Sequence, residues 1–530
     1  MVQYNLLVPH KKQMSEQSQN SKQIAKNTGL LYIRMLFLMV ISLYTSRINL
    51  NALGIVDYGI YNVVGGVVAM FAVISGSLSA TISRFITFEL GTGDKAKLKR
   101  IFSTSLTIQF VLSFIIVIIC EAVGVWFLNN KMQIPPDRLT AANWVLQFSL
   151  MTFVLNLISV PYDAAIVAHE RMSAFAYISI LDGIGKLAIA FTVLHAHTDK
   201  LILYALMIVL MAYLIRVVYV VYCKRKFEEC TYHFVYDKEL LNKIFGFASW
   251  NFIGSIAVIL RDQGGTIIIN LFCGPVVNAA RGIANQVNTA ISKFVSSFQT
   301  ALNPQITKSY ASGNYDYMMT LIFQGARLSY YILLFMSLPV ICNTHYILQV
   351  WLGQVPEHSV LFIQLVLLFS MSESLANTLI TAMLATGNIR NFQIIVGGLN
   401  LLNLPLAYLC LRLGCIPESV MIVAIVVSVI CEMARVLLLR KMIHLSARKF
   451  ITNVYLNVIF VTIVAGALPY WLGLQLEESF YVFMLICFVS VVCTLMSILY
   501  VGCNEKERSF VYFKIFAMMK KYKKNDKHHI

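Results

Sequence analysis

Charged residues are scarce in this 530-residue chain: they form 13% of the sequence, about half the share in a typical soluble protein. Hydrophobic residues make up 58%. Long polar stretches are also missing, since the longest polar connection between apolar runs spans only residues 224–243. A folded soluble domain has no room in such a connection, so the composition excludes a soluble globular protein and indicates a polytopic membrane protein.

Features of secretion, disulfide chemistry and catalysis are missing as well. Residues 1–26 have neither an apolar core nor a small-residue cleavage site, so we do not expect a cleavable signal peptide. The eleven cysteines include no Cys-x-x-Cys pair, and most lie within apolar runs, where they serve as small buried hydrophobes. No Ser/His/Asp, metal or cofactor constellation stands out. The sequence therefore predicts no enzyme, no metal and no cofactor.

Apolar runs long enough to cross a bilayer recur about fourteen times, which predicts an all-α polytopic membrane protein. The runs are 27–48, 57–82, 101–128, 141–167, 172–194, 201–223, 244–271, 277–303, 319–343, 360–386, 391–413, 418–439, 451–473 and 479–501.

The net charge of +17 follows the expected membrane topology. Lys and Arg concentrate in the tails and in alternate loops, as at 95–100, 224–243, Lys308 and 440–449, whereas the other loops are poor in them. The positive-inside rule then places both termini in the cytoplasm. The basicity is therefore explained by topology and contact with anionic lipids, and we expect no nucleic-acid partner.

An internal repeat divides the chain. Shifting the sequence by 220 residues aligns Gly54 with Gly274 and residues 90–94 with 310–314, and further along an offset of 217 pairs Ala165 with Ala382. Two six-helix halves are thus predicted to form a parallel repeat, followed by two further helices. The predicted organisation is a cytoplasmic tail (1–26), a first lobe (27–223), a cytoplasmic linker (224–243), a second lobe (244–441), two helices (450–501) and a basic cytoplasmic tail (502–530).

One predicted span, 277–303, carries a polar stripe along a single face. Its members recur at steps of three and four: Asn278, Arg281, Asn285, Asn288, Ser292, Ser296, Gln299 and Asn303. Such a stripe must face water, ligand or protein, because lipid cannot satisfy amides. We interpret it as the wall of a transport cavity; packing of the amides against a neighbouring helix is the alternative.

Charges inside predicted spans point to the same region. Arg261 and Asp262 lie in the seventh span and Arg281 begins the eighth, and arginine suits phosphate oxygens. The sequence therefore predicts a cavity with a positive bias, fit for an anionic headgroup. Other charges have simpler interpretations. The pairs Asp182–Lys186 and Glu432–Arg435 are one helical turn apart, and Arg47, Arg84 and Arg216 can extend to the headgroup boundary.

The segments 278–284 (NAARGIA) and 303–310 (NPQITKSY), together with the six-plus-six-plus-two arrangement, resemble the bacterial polysaccharide (Wzx-type) flippases. These belong to the multidrug/oligosaccharidyl-lipid/polysaccharide exporter (MATE-like, MOP) superfamily. The resemblance implies a V-shaped pair of bundles in the inner membrane that opens alternately to either side. It also implies a substrate, undecaprenyl-pyrophosphate-linked oligosaccharide for O-antigen, capsule or exopolysaccharide synthesis, and the polysaccharide polymerase machinery as a partner.

On this interpretation two sets of residues bind the substrate. Arg261, Arg281 and Arg34 contact the pyrophosphate. Sugar hydroxyls meet the amides and hydroxyl Asn278, Asn285, Gln286, Asn288, Ser292 and Gln299.

Two other functions remain open at this point. The superfamily contains cation-coupled multidrug antiporters, for which Asp262 is the candidate coupling acid. Those antiporters place a carboxylate in the first helix, yet residues 27–50 contain neither Asp nor Glu. A glycan polymerase or ligase would need a sizeable outer loop, and no outer loop of this chain is long.

Overall fold

The computed structural model describes residues 2–69, 72–130, 134–233, 237–353, 355–505, 507–509 and 512, so most of the predicted tail 502–530 lies outside it. The described residues form seventeen α-helices and no strand. The helices are α1 Val2–Ala69, α2 Ala72–Thr92, α3 Lys95–Ile119, α4 Val125–Asn130, α5 Leu139–Ala168, α6 Met172–Leu194, α7 Lys200–Lys226, α8 Lys238–Ala311, α9 Tyr315–Cys342, α10 Thr344–Leu352, α11 Ser359–Thr386, α12 Arg390–Leu401, α13 Asn403–Arg412, α14 Ser419–Ile443, α15 Ala447–Phe450, α16 Asn457–Gln475 and α17 Phe480–Ser497.

Twelve of the described helical segments are long and apolar enough to cross a membrane, so the chain is a multi-pass membrane protein. The all-α polytopic fold is thereby confirmed. The two other runs of the sequence are 57–82 and 277–303. The first is divided between α1 and α2, and the second forms the later part of α8, where the polar stripe lowers the hydropathy.

Glycine breaks both of the longest helices at repeat-related positions. Gly54 in α1 has φ 77° and ψ 171°, and Gly274 in α8 has φ 78° and ψ −176°, a conformation available essentially to glycine alone. Gly93, in the turn after α2, and Gly313, in the turn after α8, are again 220 residues apart, and both have positive φ. The same backbone geometry at both pairs supports the offset that defines the repeat.

Replacement of Gly274 by alanine is expected to lower the free energy of unfolding by about 1–3 kcal/mol, because the Cβ is strained at this φ. Thermal unfolding in detergent measures the change. Gly282→Ala in the same helix is the matched control, since a Cβ there meets no atom within 4 Å and alanine favours the helix. Equal melting temperatures for the two variants would contradict the prediction.

The chain divides into two compact units that differ from the predicted lobes. Unit 1 contains 1–259, 296–321 and 381–398, and unit 2 contains 260–295, 322–380 and 399–530. Unit 1 thus combines the first half of the repeat with segments of the second half. The domain boundaries proposed from the repeat remain a prediction about sequence relationship.

Each unit has its own apolar core. In unit 1, Phe102 and Tyr162 pack edge to face at 5.1 Å among Ile82, Ile86 and Ile101. In unit 2, Phe450 is fully buried and packs against Phe323 at 5.6 Å. The outer surface of α16 and α17 is also apolar, with exposed Phe460, Ile463, Tyr481 and Phe488, as contact with lipid requires.

Candidate functional site

The polar stripe of α8 is exposed where the apolar side of the same helix is buried. Asn285 and Gln286 are exposed, whereas Ala284, Ile291 and Val295 are buried. A helix facing lipid would show the opposite distribution, because hydrocarbon offers amides no hydrogen bonds. This part of α8 therefore presents its amides to an aqueous space.

Several other stripe residues are less accessible. Ser292 donates a hydrogen bond to Oδ1 of Asn288 at 3.2 Å, and both side chains are half-buried. Gln299 is buried and belongs to unit 1. The side chain of Asn278 lies outside the described residues. Among the described side chains of the stripe, Asn285 and Ser296 are therefore the exposed ones.

Arg281 lies one turn before these amides and has unused donors. Its side chain is buried, with 6% of the residue exposed, and its Nη2 donates to the backbone oxygen of Asp262 at 3.2 Å. The Nε and Nη1 atoms have no hydrogen-bond partner among the described residues. Gly265 makes room for the guanidinium, since a Cβ there would lie 2.8 Å from Nη1. Because buried donors without acceptors are costly, the arrangement suits an anionic ligand.

Arg261 lies in the same unit, but its Nε and Nη1 atoms are occupied. Nε donates to Oδ1 of Asp262 at 2.9 Å, and Nη1 donates to Oδ1 of Asn400 at 3.2 Å. Nη1 also lies 3.7 Å from a carboxylate oxygen of Glu373, and the guanidinium covers the ring of Phe369 at 4.8 Å. These contacts fix Arg261 in place and leave it less able than Arg281 to receive a ligand.

The carboxylates around Arg261 offset much of the positive charge of the arginines beside it. Glu373 lies 3.8 Å from Arg435 and accepts a hydrogen bond from Ser428 at 2.7 Å, while Arg435 donates to Glu432 at 3.0 Å. Three arginines (261, 281 and 435) thus face three acids (262, 373 and 432). The positive bias predicted from the sequence is therefore concentrated at Arg281. Both predicted pairs one turn apart are confirmed, at 3.0 Å for Glu432–Arg435 and 2.7 Å for Asp182–Lys186.

The remaining candidates occupy separate places. Asp262 has a side chain 55% exposed, although one oxygen accepts from Arg261. Arg34 lies in unit 1, where its guanidinium covers the ring of Phe175 at 4.3 Å. The buried Nε of Arg34 has no hydrogen-bond partner in the described part of the chain. Arg34 therefore shares with Arg281 the property of a spare buried donor.

Two contacts in unit 1 join the predicted cytoplasmic ends of the repeat halves. Glu170, in the turn between α5 and α6, accepts from Nε2 of Gln305 at 2.7 Å and from Nζ of Lys308 at 2.6 Å. The backbone oxygen of Glu170 accepts from Asn27 at 3.4 Å. The end of α8 is therefore attached to the first half through a largely buried carboxylate.

In the second contact the first half of the repeat supplies the donor. Arg84 of α2 donates from Nε to the backbone oxygen of Leu384 at 3.0 Å and from Nη2 to that of Ala385 at 2.9 Å. Gly387 lets the guanidinium approach, because a Cβ there would lie 2.7 Å from Nη2. The snorkelling expected for Arg84 is therefore replaced by a specific link to the end of α11. Gly387 and Glu170 are related by the offset of 217 and both have positive φ, so the two links are repeat-related.

A further pair anchors the turn that carries Glu170. Nε2 of His169 and a carboxylate oxygen of Glu229 are 2.5 Å apart, and the imidazole stacks on Phe227 with the ring centroids 4.1 Å apart. Burial tends to raise the pKa of Glu229, but hydrogen bonds from His169 and from its own backbone N–H, with the charges of His169 and Lys95, hold it below its usual value. The turn is thus fixed by the predicted linker as well as by α8.

Sequence reasoning missed the links made by Arg84, Glu170 and Lys308. It attributed Lys308 to loop charge and Arg84 to the headgroup boundary. The repeat offers a usable signal, because Glu170 replaces a glycine of the other half at a turn where most residues avoid positive φ.

The family model described as "Polysaccharide biosynthesis protein" matches residues 24–310, more than half of the chain. The chain belongs to the polysaccharide biosynthesis protein family. The model of the MatE family matches residues 251–409. A comparison with curated proteins gives no match.

Solved structures share the fold of this polysaccharide biosynthesis protein at low sequence identity. One is a multidrug resistance MATE family transporter of the MOP superfamily in an outward-facing conformation, with 13% identity, a TM-score of 0.69 and coverage of 80% of this chain and 96% of that one. A MATE crystal structure in the straight conformation has 12% identity, a TM-score of 0.68 and the same coverages. A MOP superfamily transporter from Pyrococcus furiosus has 12% identity and a TM-score of 0.63, with coverage of 79% of this chain and 96% of that one.

The two family-model matches and the shared fold together support a transporter of the MOP superfamily, and they point to transport rather than catalysis. The resemblance recognised in the sequence is confirmed at this level.

Proposed function

We propose that the protein is an alternating-access flippase that moves undecaprenyl-pyrophosphate-linked oligosaccharide from the cytoplasmic to the outer leaflet of the bacterial inner membrane. Both termini are cytoplasmic in this proposal, the two repeat halves are its moving parts, and the polysaccharide polymerase machinery receives the product. The match to the polysaccharide biosynthesis family supports the glycan substrate.

The observation that carries the proposal is the exposure of amides beside a buried arginine with free donors. Asn285 and Gln286 offer several hydrogen-bond donors and acceptors, as sugar hydroxyls need, and Asn288, Ser292 and Gln299 extend the set. Arg281 supplies two N–H groups that lack partners among the described residues. A glycan attached to a phosphate has both chemical parts.

The arginines bind the pyrophosphate in this scheme. Arg281 is the principal ligand, and Arg261 positions the site through Asp262. Arg34, in unit 1, is proposed separately as a phosphate contact on the strength of its unpartnered Nε. A pyrophosphate moving outward across an inside-negative membrane descends the potential by roughly 2.3 kcal/mol per charge per 100 mV. The membrane potential can therefore contribute to export.

Flipping in proteoliposomes tests the function. The purified protein is reconstituted with a pyrophosphate-linked polyprenyl oligosaccharide, and in parallel vesicles with a fluorescent cationic drug. We expect the glycan lipid to reach the opposite leaflet faster than in protein-free vesicles, with an added membrane potential increasing the rate and no movement of the drug. Glycan movement no faster than in protein-free vesicles would refute the proposal.

A second candidate is a cation-coupled multidrug antiporter, favoured by the match to the MatE family and by the exposed side chain of Asp262. Its weakness is that Arg261 already compensates this carboxylate at 2.9 Å. Drug movement that requires a proton or sodium gradient and is abolished by Asp262→Asn would favour this candidate over the flippase.

A further inference from the structure

A cavity of about 460 Å³ lies in unit 1, where the ends of α2, α8 and α12 meet, away from the amide stripe. Its lining includes three cations, Arg84, Lys243 and Arg390. Among the described residues that line it, none is acidic. Three cations around one cavity without an acid favour an anionic occupant.

The three cations differ in how firmly they are held. Arg84 is fixed by its two backbone carbonyl contacts and lies over the rings of Phe85 and Phe247. Arg390 is exposed and covers the ring of Trp250 at 5.5 Å. Lys243 is paired with Glu239 at 2.5 Å, but both side chains are mostly exposed, and such pairs are weak and easily exchanged. Lys243 and Arg390 are thus available at the rim.

Backbone donors add to the cations. Helix α12 begins at Arg390, and Asn388, Ile389 and Arg390 all line the cavity. The first N–H groups of a helix have no partner within it, and the helix dipole favours an anion at that end. Oxygen atoms of a phosphate can therefore accept hydrogen bonds from the backbone as well as from the side chains.

The setting of the cavity indicates that the anion is attached to a lipid. Exposed apolar side chains flank it on both helices, with Phe245 and Ile253 on α8 and Ile394 on α12. Trp250, partly exposed in the lining, is typical of the membrane interface. The loops concerned are those that the charge pattern places in the cytoplasm. A headgroup in the cavity would have its hydrocarbon tail beside the apolar residues.

The repeat-related position in the first half is occupied differently. Gly387 of the cavity corresponds to Glu170, whose carboxylate binds Lys308 and Gln305. In the first half an internal ion pair thus neutralises the cation, whereas Gly387 offers the cavity no carboxylate. The positive charge of the cavity can therefore attract an external anion.

We propose that this cavity is a cytoplasmic docking site for the pyrophosphate headgroup of a polyprenyl lipid, distinct from the site at Arg281. The proposal rests on the flippase function proposed above. Lys243, Arg390 and the first turn of α12 bind the pyrophosphate, and Arg84 holds the back of the cavity.

Equilibrium binding to the full-length protein in detergent tests the site without transport. The probes are farnesyl pyrophosphate, inorganic pyrophosphate and phosphatidylglycerol in mixed micelles, measured by calorimetry. We expect the double variant K243Q/R390Q to weaken farnesyl pyrophosphate binding about tenfold or more, since two charge-assisted contacts are lost. The exposed cations Lys99 and Arg100 of α3 are the control, and K99Q/R100Q should bind as the unmodified protein does.

Gly246 provides a second test that does not remove any contact. It is exposed in the lining and a Cβ there meets no atom within 4 Å, so side chains are accommodated. Gly246→Glu should weaken binding and Gly246→Lys should tighten it.

Three outcomes would overturn the docking site. One is a dissociation constant unchanged within about twofold in K243Q/R390Q and in both Gly246 variants, against an expected tenfold loss. Another is equal weakening in the Lys99/Arg100 control. The third is phosphatidylglycerol binding as tightly as farnesyl pyrophosphate, which would assign the cavity to bulk anionic lipid. Because the assay involves no flipping, a failed flipping experiment with intact, residue-dependent binding would count against the function alone.

Discussion

Outward flipping of a pyrophosphate-linked glycan lipid is expected to fall by about 10- to 100-fold when Arg281 is replaced by glutamine. The guanidinium is buried, and its Nε and Nη1 have no partner among the described residues, so a phosphate would satisfy both. Glutamine keeps one amide donor but loses the charge and the fork of N–H groups that matches phosphate. The flipping rate at several lipid concentrations measures the loss.

The rate should drop without a matching loss of stability. Arg281 makes one hydrogen bond at 3.2 Å, to a backbone oxygen, and its removal relieves a desolvated charge. Arg281→Lys should retain part of the activity because it keeps the charge. Gly265→Ala should imitate Arg281→Gln, since its Cβ would enter the space of the guanidinium at 2.8 Å.

Arg327 supplies the control within unit 2. It is buried like Arg281, but its donors are used by Gly502 O at 3.0 Å and Glu507 at 2.6 Å. Arg327→Gln should therefore lower the melting temperature and leave the affinity for substrate almost unchanged. Flipping by Arg281→Gln at the unmodified rate, in protein inserted and folded correctly, would remove Arg281 from the binding site.

Local periodicity and repetition explain what the sequence could predict. Apolar runs define helices because each must satisfy its own backbone in lipid, and steps of three and four placed Asn285 and Asn288 on one face. The alignment of Gly54 with Gly274 pairs two positions at which the structure shows helix breaks of the same conformation. These features depend on neighbours in the chain or on a direct comparison of two segments.

Contacts between distant residues could not be predicted in the same way. Arg261 was expected to be a free anion ligand because Asn400, 139 residues away, and Glu373 could not be assigned to it from one sequence. Lys308 resembled an ordinary loop cation until its partner Glu170, 138 residues away, was located. The sequence shows where cations lie within membrane spans, where an unpaired charge is energetically costly. Only the contacts in the structure show whether such a cation can bind a ligand or holds helices together.

Reversal of either charge in the Glu170–Lys308 pair is expected to reduce flipping strongly, by about tenfold or more, and the double exchange E170K/K308E is expected to restore most of it. The Glu170 side chain is 10% exposed, so a lysine at this position would face Lys308 with little water to screen the repulsion. In the proposed alternating-access cycle the contact between the two repeat halves forms and breaks, and each single reversal prevents its formation.

Asp182 and Lys186 are the matched control, with a distance of 2.7 Å but both members in α6 and partly exposed. Reversing either charge of this pair, or swapping the two residues, should leave flipping almost unchanged, since exposed pairs within one helix contribute little.

Hydrogen–deuterium exchange separates a conformational role of the Glu170–Lys308 pair from general destabilisation. The single variants E170K and K308E should raise exchange in 305–312 and in the turn at Glu170 while the core around Phe102 stays protected. Hydrogen–deuterium exchange that rises uniformly across unit 1 would show that the pair supports the fold and does not join the repeat halves during transport. A double variant E170K/K308E that fails to restore flipping would show the same.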